Sequence, residues 1–209
     1  MPTAVRSCTP AKQGDVQRVV DIHVAAFPDF FLTSLGPMFL RTMYRAFLVN
    51  KGSVFIVARF NHDIQGFAVG VLKTSSKDRA LALRHLPQFL VSVIPGLIRN
   101  PLKVSRRIAS QFFDVGDQIK IPDDAAVLRS IGILPDARGT GIASDLLREF
   151  ERFSLIKGAR SVALTTDALD NDRAITFYRK NGYDIAQEFM QGESRQMLLM
   201  LKDLDKNFS

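Results

Sequence analysis

The chain is poor in the features that mark secreted and membrane-spanning proteins. It has a single cysteine, Cys8, among 209 residues, which excludes an internal disulfide and favours a reducing compartment. Its longest uncharged run, Leu86 to Ile98, has 13 residues, short of the roughly 20 needed to cross a bilayer. The first residues, Met1 to Arg6, lack the apolar core of a signal peptide. These absences predict a cytoplasmic protein.

Sequence motifs for binding nucleic acids and nucleoside triphosphates are missing as well. The net charge of +7 suits a nucleic acid, an anionic membrane surface or a polyanionic cofactor. No nucleic-acid motif and no repeat of aromatic and basic residues accompanies that charge, so no nucleic-acid partner is expected. A Walker A loop is excluded because no Gly-Lys-Ser or Gly-Lys-Thr follows a glycine at the required four-residue gap.

What the chain does contain is a glycine-containing loop between an apolar strand and a long amphipathic helix. Residues 130–143 read Ser-Ile-Gly-Ile-Leu-Pro-Asp-Ala-Arg-Gly-Thr-Gly-Ile-Ala. Such a loop points backbone N–H groups and the positive end of a helix dipole at one place, which suits a phosphate or diphosphate. Gly139 and Gly141 let the backbone approach an anion closely, and Arg138 adds a positive charge. The loop predicts a protein that binds a phosphorylated small molecule.

A dinucleotide fingerprint explains this loop less well. The segment from Gly139 to Ser144 places a serine where the third glycine or alanine is expected. The acidic residue expected about 20 positions further on is missing, since Ser161 and Val162 occupy that region. Too little chain remains for a doubly wound sheet.

Two ordered segments carry a family resemblance. The first has the form Arg-x-x-Gly-x-Gly/Ala after an apolar strand, with Arg138, Gly141 and Ala143 at the defined positions. The second, residues 171–183, has the form Asn-x-x-Ala-x-x-x-Tyr-x-x-x-Gly-Phe/Tyr. Together they resemble the acetyl-coenzyme A signature and the following segment of the GNAT superfamily of N-acetyltransferases. The clear resemblance covers residues 127–201.

The apolar spacing along the chain agrees with the element order of that fold. The resemblance implies an α/β fold with a mixed sheet, in a single domain over residues 1–209, with a helical insertion over about residues 73–124 between the third and fourth strands. Period-two and helical patterns predict strands at Ala4–Cys8, Val54–Phe60, Ile64–Leu72, Ala125–Ile133, Ser161–Thr166, Tyr183–Phe189 and Gln196–Leu201, and helices over Val16–Phe27, Pro37–Val49, Ile142 to near Gly158, and around Tyr178.

Local features give further expectations. His23 lies on the apolar face of the first helix and is expected to be packed or hydrogen-bonded rather than a base, and His62 to lie in an exposed hairpin turn. Residues 28–33 are expected to form a loop whose Phe30 and Phe31 line the acceptor pocket or pack in the core. Asp170 or Asn171 suits a helix cap. Residues 197, 199 and 201 predict a half-buried last strand, and residues 202–209 a frayed tail.

The insertion has an apolar helical pattern from Leu81 to Ile98 and then a basic segment that includes Arg99 and Arg107. Three roles are open for it: a cap over the acceptor site, a contact in a homodimer, and a helix lying weakly on a membrane surface. The sequence does not choose among them.

The resemblance implies acetyl-coenzyme A as the donor and assigns residues to it. The loop amides after Arg138 would hold the diphosphate, and Ile131 and Ile133 would pair with the pantetheine arm, with the Ile131 N–H polarising the acetyl carbonyl. Tyr178 would be the catalytic acid that protonates the leaving thiolate. No metal is expected. The implied donor-binding residues are Ile131, Gly132, Ile133, Arg138, Gly139, Thr140, Gly141, Ile142, Ala143, Asn171 and Tyr178.

The general base and the acceptor are not readable from the sequence. Val127, Leu128 and Ser130 offer no carboxylate on the strand before the loop, which leaves the pair at 123–124, Asp167, a water chain, or no base at all. The expected reaction is direct acetyl transfer to a primary amine in a ternary complex. The expected acceptor class is a small-molecule or peptide amine, whose identity the sequence does not give. The alternatives are an acyltransferase that uses a longer acyl-coenzyme A and a non-enzymatic acyl-coenzyme A sensor.

Overall fold

The computed structural model describes residues 6–73, 119–192 and 195–205. These residues build a seven-stranded sheet with helices on both faces. The strands are β1 (Arg6–Pro10), β2 (Ser53–Phe60), β3 (Asp63–Leu72), β4 (Ala125–Ile133), β5 (Ser161–Asp167), β6 (Asp184–Gln191) and β7 (Arg195–Asp203). The helices are α1 (Val16–Ala26), α2 (Phe31–Ser34), α3 (Pro37–Val49), α4 (Ile142–Ile156) and α5 (Asp172–Lys180), with 3₁₀ turns at Gln13–Asp15 and Pro135–Ala137.

The order of strands across the sheet is β1-β2-β3-β4-β5-β7-β6. Neighbours are antiparallel except β4 and β5, which run parallel. The mixed sheet confirms the α/β class predicted from the sequence. Most of the predicted insertion, residues 74–118, lies outside the described residues, so its helices, the single-domain boundary and its three roles stay predictions.

Turn chemistry fixes the first hairpin and the second long helix. Asn61 and His62 have φ of 49° and 71°, the pair of positive values that a two-residue hairpin turn requires. The exposed turn position predicted for His62 is confirmed. Helix α3 begins at Pro37, directly after Gly36 with φ of 93°, because proline is favoured in the first helical turn. Its bounds are those predicted from the apolar spacing.

Two helical layers bury the two faces of the first four strands. On one face, α1 and α3 pack residues such as Val20 and Leu40 against Phe67. On the other face, α4 packs Leu147 and Phe150 against the sheet. A third cluster covers β4 to β7 on the residues Ala125, Val127, Ala163, Phe189, Met197 and Leu199, with Ile119 and Ile121 packed against it.

The structure corrects three local expectations. The aromatic loop contains the one-turn helix α2, which is secured where Thr33 Oγ1 donates to the Phe27 carbonyl over 2.6 Å. Strand β7 is buried on both faces rather than half-buried, because Leu198 and Met200 pack into the α4 side of the sheet. The tail is ordered as far as residue 205: Leu204 is fully buried, and its N–H donates to the Arg160 carbonyl over 2.9 Å.

Candidate active site

The parallel strands β4 and β5 separate shortly after they begin to pair. Their ladder covers only Ala125 to Val127 on β4 and Ser161 to Ala163 on β5. From residue 128 to residue 133, β4 keeps its bonds to β3, but no described strand pairs with its other edge. In open α/β sheets, ligands bind in the crevice outside the carboxyl ends of parallel strands. The fork between β4 and β5 is such a crevice.

A bulge in β4 lies where the fork opens. Leu128 is opposite Gly70 and Ser130 is opposite Val69, so Arg129 is an extra residue in the ladder. The glycine at position 70 lets β3 approach β4 closely at the bulge, because an added Cβ would lie 2.2 Å from the Val127 carbonyl oxygen. Bulges leave the extra residue unpaired and re-aim the strand beyond them.

The bulge changes which backbone groups face the open edge. Before it, the Ala125 carbonyl accepts a bond from Lys73 on the β3 side, and after it the Leu134 N–H donates to the Gln65 carbonyl on the same side. Backbone groups alternate between the two edges of a strand, so odd-numbered residues bond toward β3 before the bulge and even-numbered ones after it. The amides of Ile131 and Ile133 therefore face the open edge.

The loop after β4 presents a helix N-terminus to solvent. Residues 138–141 are exposed, and Gly139 and Gly141 adopt φ of 78° and 87°. No side chain among the described residues caps the first turn of α4, so its N–H groups are available to an anion. The Thr140 hydroxyl donates back to the Ala137 carbonyl over 2.7 Å and steadies the turn.

The constraint on Gly141 is conformational more than steric. An added Cβ would lie 3.5 Å from Arg6 Nη1, an ordinary contact, and at Gly139 it would meet nothing within 4 Å. A side chain at either position would have to adopt the left-handed region that L residues avoid. The space in front of both glycines is open, which fits a bulky anionic group.

The carboxylate beside this helix end is paired with two arginines. Asp145, in the first turn of α4, accepts from Arg6 Nη1 at 2.9 Å and from Arg148 Nη2 at 2.5 Å. The pairs leave Arg138, which is exposed, as a cation of the loop itself. The acidic residue in the first turn therefore does not repel an anion on its own.

Asn171 ties the loop before α5 to the end of β5. Its Nδ2 donates to Thr166 Oγ1 over 2.6 Å and to the Asp167 carbonyl over 3.1 Å. Although Asn171 occupies the N-cap position of α5, its side chain makes no cap bond, and the predicted capping role of Asp170 or Asn171 is wrong in this respect. The amide side chain instead orders the β5 side of the fork.

Tyr178 on α5 is half-buried against other aromatic rings. Its ring lies 5.2 Å from that of Phe177 and 5.8 Å from that of Tyr183, both in edge contact. Burial raises the pKa of Tyr178 to about 12, which keeps the phenol protonated. The hydroxyl has no hydrogen-bond partner among the described residues, in contrast to the Tyr183 hydroxyl, which donates to Glu151 Oε1 over 2.9 Å.

The carboxylates suggested as bases are poorly suited to that role. Both oxygens of Asp167 accept from the Arg195 guanidinium, at 2.5 and 2.8 Å. Asp123 is fully exposed and pairs with Lys73 at 3.0 Å, and Asp124 is exposed next to it, at the start of β4 and away from the bulge. None of the three is a free carboxylate at the fork.

A buried polar pair that the sequence pattern did not join lies beneath β4. His23 Nδ1 is 2.6 Å from the Tyr44 hydroxyl, which confirms His23 as a hydrogen-bonded residue and not an exposed base. Burial lowers the pKa of His23 to about 4. The sequence does contain a signal for this pair. The apolar spacing places His23 and Tyr44 on the inward faces of α1 and α3, and buried polar groups require hydrogen-bond partners.

Three other features of the described residues bear on the chemistry. Burial raises the pKa of the Cys8 thiol to about 11, so it is not a ready nucleophile. No group of three or more His, Cys, Asp or Glu side chains in the described ranges could hold a metal ion. Among the helices of those ranges, none combines the length and apolarity required to cross a membrane.

Comparison with known proteins gives one family and a set of similar folds. The model of the Acetyltransferase (GNAT) family matches residues 16–183. No curated protein sequence matches the chain.

Solved structures resemble the whole chain at low sequence identity. The ribosomal-protein-S18-alanine N-acetyltransferase from Escherichia coli has a TM-score of 0.60 and 13% identity, over 96% of this chain and 94% of that one. An N-acetyltransferase from Staphylococcus aureus Mu50 has a TM-score of 0.62 and 17% identity, over 96% and 99%. A chimeric spermidine N-acetyltransferase with a Vibrio cholerae parent has a TM-score of 0.62 and 12% identity, over 96% and 96%. At such identity these structures show the shared fold.

Proposed function

The chain belongs to the GNAT family of acetyltransferases, and on that premise we propose that it transfers an acetyl group from acetyl-coenzyme A directly to a primary amine. The observation that carries the proposal is the convergence of two features at one crevice. The open edge of β4 runs straight into the exposed glycine loop and the uncapped N-terminus of α4. An extended donor with a diphosphate at one end requires both.

The donor would be held mainly by backbone groups. The N–H groups from Gly139 to Ala143, with the helix dipole and Arg138, would bind the diphosphate. The amides of Ile131 and Ile133, with Gly132 between them, would bond to the pantetheine arm as a strand would. Asn171 would border the arm from the β5 side. Acetyl-coenzyme A supplies the activated thioester.

The chemical step assigns one role to each of two residues. The Ile131 N–H would donate to the acetyl carbonyl oxygen and stabilise the negative charge that forms when the amine nitrogen attacks. As the C–S bond breaks, Tyr178 would give its proton to the leaving thiolate. A phenol with a pKa at or above its ordinary value of about 10 carries this proton at neutral pH.

The amine proton would leave to water. No carboxylate at the described part of the fork is free to take it, since Asp167 is held by Arg195. An amine that enters in its neutral form needs no protein base. The half-buried Cys8 thiol, with its raised pKa, supports direct transfer over an acyl-enzyme.

The acceptor proposed here is a small-molecule or peptide amine. One of the similar structures is an enzyme named for an alanine of ribosomal protein S18, and another is named for the small molecule spermidine. The fold is therefore found with both kinds of acceptor. Phe30, half exposed between α1 and α2, provides an apolar surface beside the predicted acceptor pocket. The homodimer, the membrane-surface contact and the cytoplasmic location stay predictions.

The test is thiol release with acetyl-coenzyme A and a panel of amino sugars, amino acids, polyamines and peptides. The proposal expects amine-dependent thiol release and an acetylated amine of matching mass. Release that rises with the length of the acyl chain would indicate the longer-chain acyltransferase. Tight donor binding without release for any amine would indicate a sensor.

A further inference from the structure

One cation at the fork has no part in the mechanism proposed above. Arg129 is the extra residue of the β4 bulge, and its side chain is exposed. None of the residues that the structure describes forms a hydrogen bond or an ion pair with it. Arg195, by contrast, donates to both oxygens of Asp167, at 2.5 and 2.8 Å. The Arg129 guanidinium is therefore available to a ligand.

Arg129 lies on the face of the sheet opposite α4. Leu128 packs into the cluster on the α4 side, and successive side chains of a strand point to opposite faces. Ser130 is opposite Val69 in the ladder, and Val69 packs in the cluster of α1 and α3. The two residues of the bulge, Arg129 and Ser130, therefore share the face that α1 and α3 cover.

Two apolar clusters border this position. One contains Phe67 and Val69 together with α1 and α3, and the other contains Val127 and Leu199. Burial lowers the pKa of Arg129 although its side chain is exposed, which indicates a crevice that solvent enters and not an open surface. The guanidinium stays charged at neutral pH, and its attraction to an anion is stronger in a crevice than in open water.

The amine would approach the open edge of β4 from the same face. Ile142, at the start of α4, and Tyr178 both pack on the α4 side of the sheet, so the proposed donor loop and acid lie on that side. On the other face, the Phe30 ring is 50% exposed and lies 5.0 Å from the Phe27 ring. An added Cβ at Gly132 would lie 3.0 Å from Phe27, which brings this aromatic surface next to the open edge.

Arg129 is close enough to the proposed reaction centre to contact the acceptor. It precedes Ile131 by two residues, and a strand advances about 3.3 Å per residue, so the two Cα atoms lie roughly 7 Å apart or less. A guanidinium has parallel N–H donors that match two oxygens of a carboxylate or a phosphate. An anion bound there would lie a few bonds from an amine that attacks at Ile131.

We propose that Arg129 binds the acceptor and that the acceptor is a primary amine with a carboxylate or phosphate group close to the nitrogen. The guanidinium holds the anionic group and thereby places the amine against the acetyl carbonyl. The inference rests on the proposed function, since it names the class of amine that the open edge would acetylate.

The test uses amines in matched pairs that differ by their anionic group: amino acids with their amides, and phosphoethanolamine with ethanolamine. Calorimetry in the presence of coenzyme A measures binding, and thiol release measures transfer. In at least one pair the wild type should favour the anionic member by about 10- to 100-fold in kcat/KM and in affinity, the range of a hydrogen bond to a charged group. The pair that responds distinguishes a carboxylate from a phosphate.

The amine itself would not produce this preference. A carboxylate raises the pKa of a nearby amine and so reduces the fraction in the neutral, reactive form. The acid would therefore react more slowly than its amide if no group of the protein recognised the anion.

Arg129→Met keeps an unbranched side chain but removes the charge. It should abolish the preference by weakening the anionic member about 10- to 100-fold, and leave the neutral member within about twofold. The control is Arg45→Met, which removes the same charge from an exposed position on α3 and should keep the wild-type preference. If Arg129→Met does not fold, Arg129→Lys carries the test, because it loses the paired donors and should reduce the preference several-fold.

Two results would overturn the inference: equal binding and transfer of both members of every pair by the wild type, or a preference that survives the change at Arg129. Absence of thiol release with every amine would instead defeat the proposed function. The binding contrast between the wild type and Arg129→Met would then still decide whether Arg129 receives an anion.

Discussion

Polar groups are paired in one region of the molecule and left open in another. The paired region is the buried cluster of Glu151, Lys202 and Tyr183, and the open region is the fork between β4 and β5. In the cluster, Glu151 accepts from Lys202 Nζ at 2.7 Å and from the Tyr183 hydroxyl at 2.9 Å, and its side chain is 5% exposed. At the fork, the Ile131 and Ile133 amides face the edge of β4 that no described strand pairs with, and the Tyr178 hydroxyl on α5 has no side-chain partner among the described residues. The difference separates groups that hold the fold from groups left available to a substrate.

The largest effect is expected in the cluster. Glu151→Gln keeps the shape of the side chain but leaves the Lys202 ammonium without its counter-charge. Removal of one partner of a buried pair costs about 3–5 kcal/mol, so the free energy of unfolding should fall by that order while kcat per folded molecule stays the same. Urea unfolding and thiol release measure the two.

A double variant controls this prediction. Glu151→Gln with Lys202→Met removes both charges and should recover part of the lost stability. If Glu151→Gln is as stable as the wild type, the cluster does not stabilise the fold, and the contrast between the cluster and the fork is wrong.

The pair of His23 and Tyr44 is buried like the cluster of Glu151, Lys202 and Tyr183, but it carries no charge. Its contribution to the free energy of unfolding should therefore change with pH in the acid range. His23 has a pKa of about 4 in the fold against an ordinary 6.5. The unfolded chain thus binds the proton first, and the free energy of unfolding should fall as the pH drops from about 6.5 to about 4, by about 3 kcal/mol in total. Denaturant unfolding between pH 4 and pH 7 measures the slope.

His23→Gln should remove most of that acid dependence. The matched control is His62→Gln in the exposed hairpin turn, which should leave the slope unchanged. Equal slopes for the wild type and His23→Gln would show that the imidazole is not kept neutral by the fold.

At the fork, the largest expected effect is on turnover. Tyr178→Phe removes the proposed proton donor while the ring contacts to Phe177 and Tyr183 remain. The value of kcat should fall by about 10²-fold, the usual scale of general acid catalysis, with little change in donor affinity or stability. Tyr183→Phe is the control and should show the reverse pattern. A Tyr178→Phe enzyme with wild-type kcat, where chemistry limits the rate, would make Tyr178 structural.

A smaller effect is expected for the donor loop. Gly141→Val forces a β-branched residue into φ of 87°, which should shift the loop amides and weaken coenzyme A binding by about tenfold or more, since each 1.4 kcal/mol of lost binding is a factor of ten. Gly158→Val, at the other end of α4 with φ of 92°, carries the same backbone strain away from the loop. Calorimetry should find weaker binding in Gly141→Val alone; equal affinities would remove the loop from the donor site.

The sequence predicted those features that depend on neighbours along the chain. The helix from Pro37, the hairpin at residues 61–62, strand β4 and the glycine loop all follow from local spacing and turn residues. The burial of Leu198 and Met200 was not predictable in this way, because α4 covers them from a distant part of the chain. The position of Asn171 before α5 predicts a cap, and the family resemblance implies a place beside the pantetheine arm, but neither predicts that its side chain bonds to Thr166 on β5.

The same limit applies to the site. The two motifs locate the loop, Asn171 and Tyr178, since each is a run of adjacent residues. The bulge at Arg129 is defined only by the register with β3, and the ion pair that occupies Asp167 joins residues 28 positions apart. The strand register and this ion pair depend on how distant segments pack in the sheet, so they cannot be predicted from any one segment of the sequence.

The extra residue at Arg129 decides which backbone amides of β4 face its open edge. An odd number of extra residues turns the backbone of every later residue toward the opposite edge, and an even number restores it. Which amides face the open edge, the proposed donor site, is therefore decided by the number of residues in the strand before residue 131 and not by the side chains that they carry. A chain built this way tolerates substitution along the strand far better than the gain or loss of one residue.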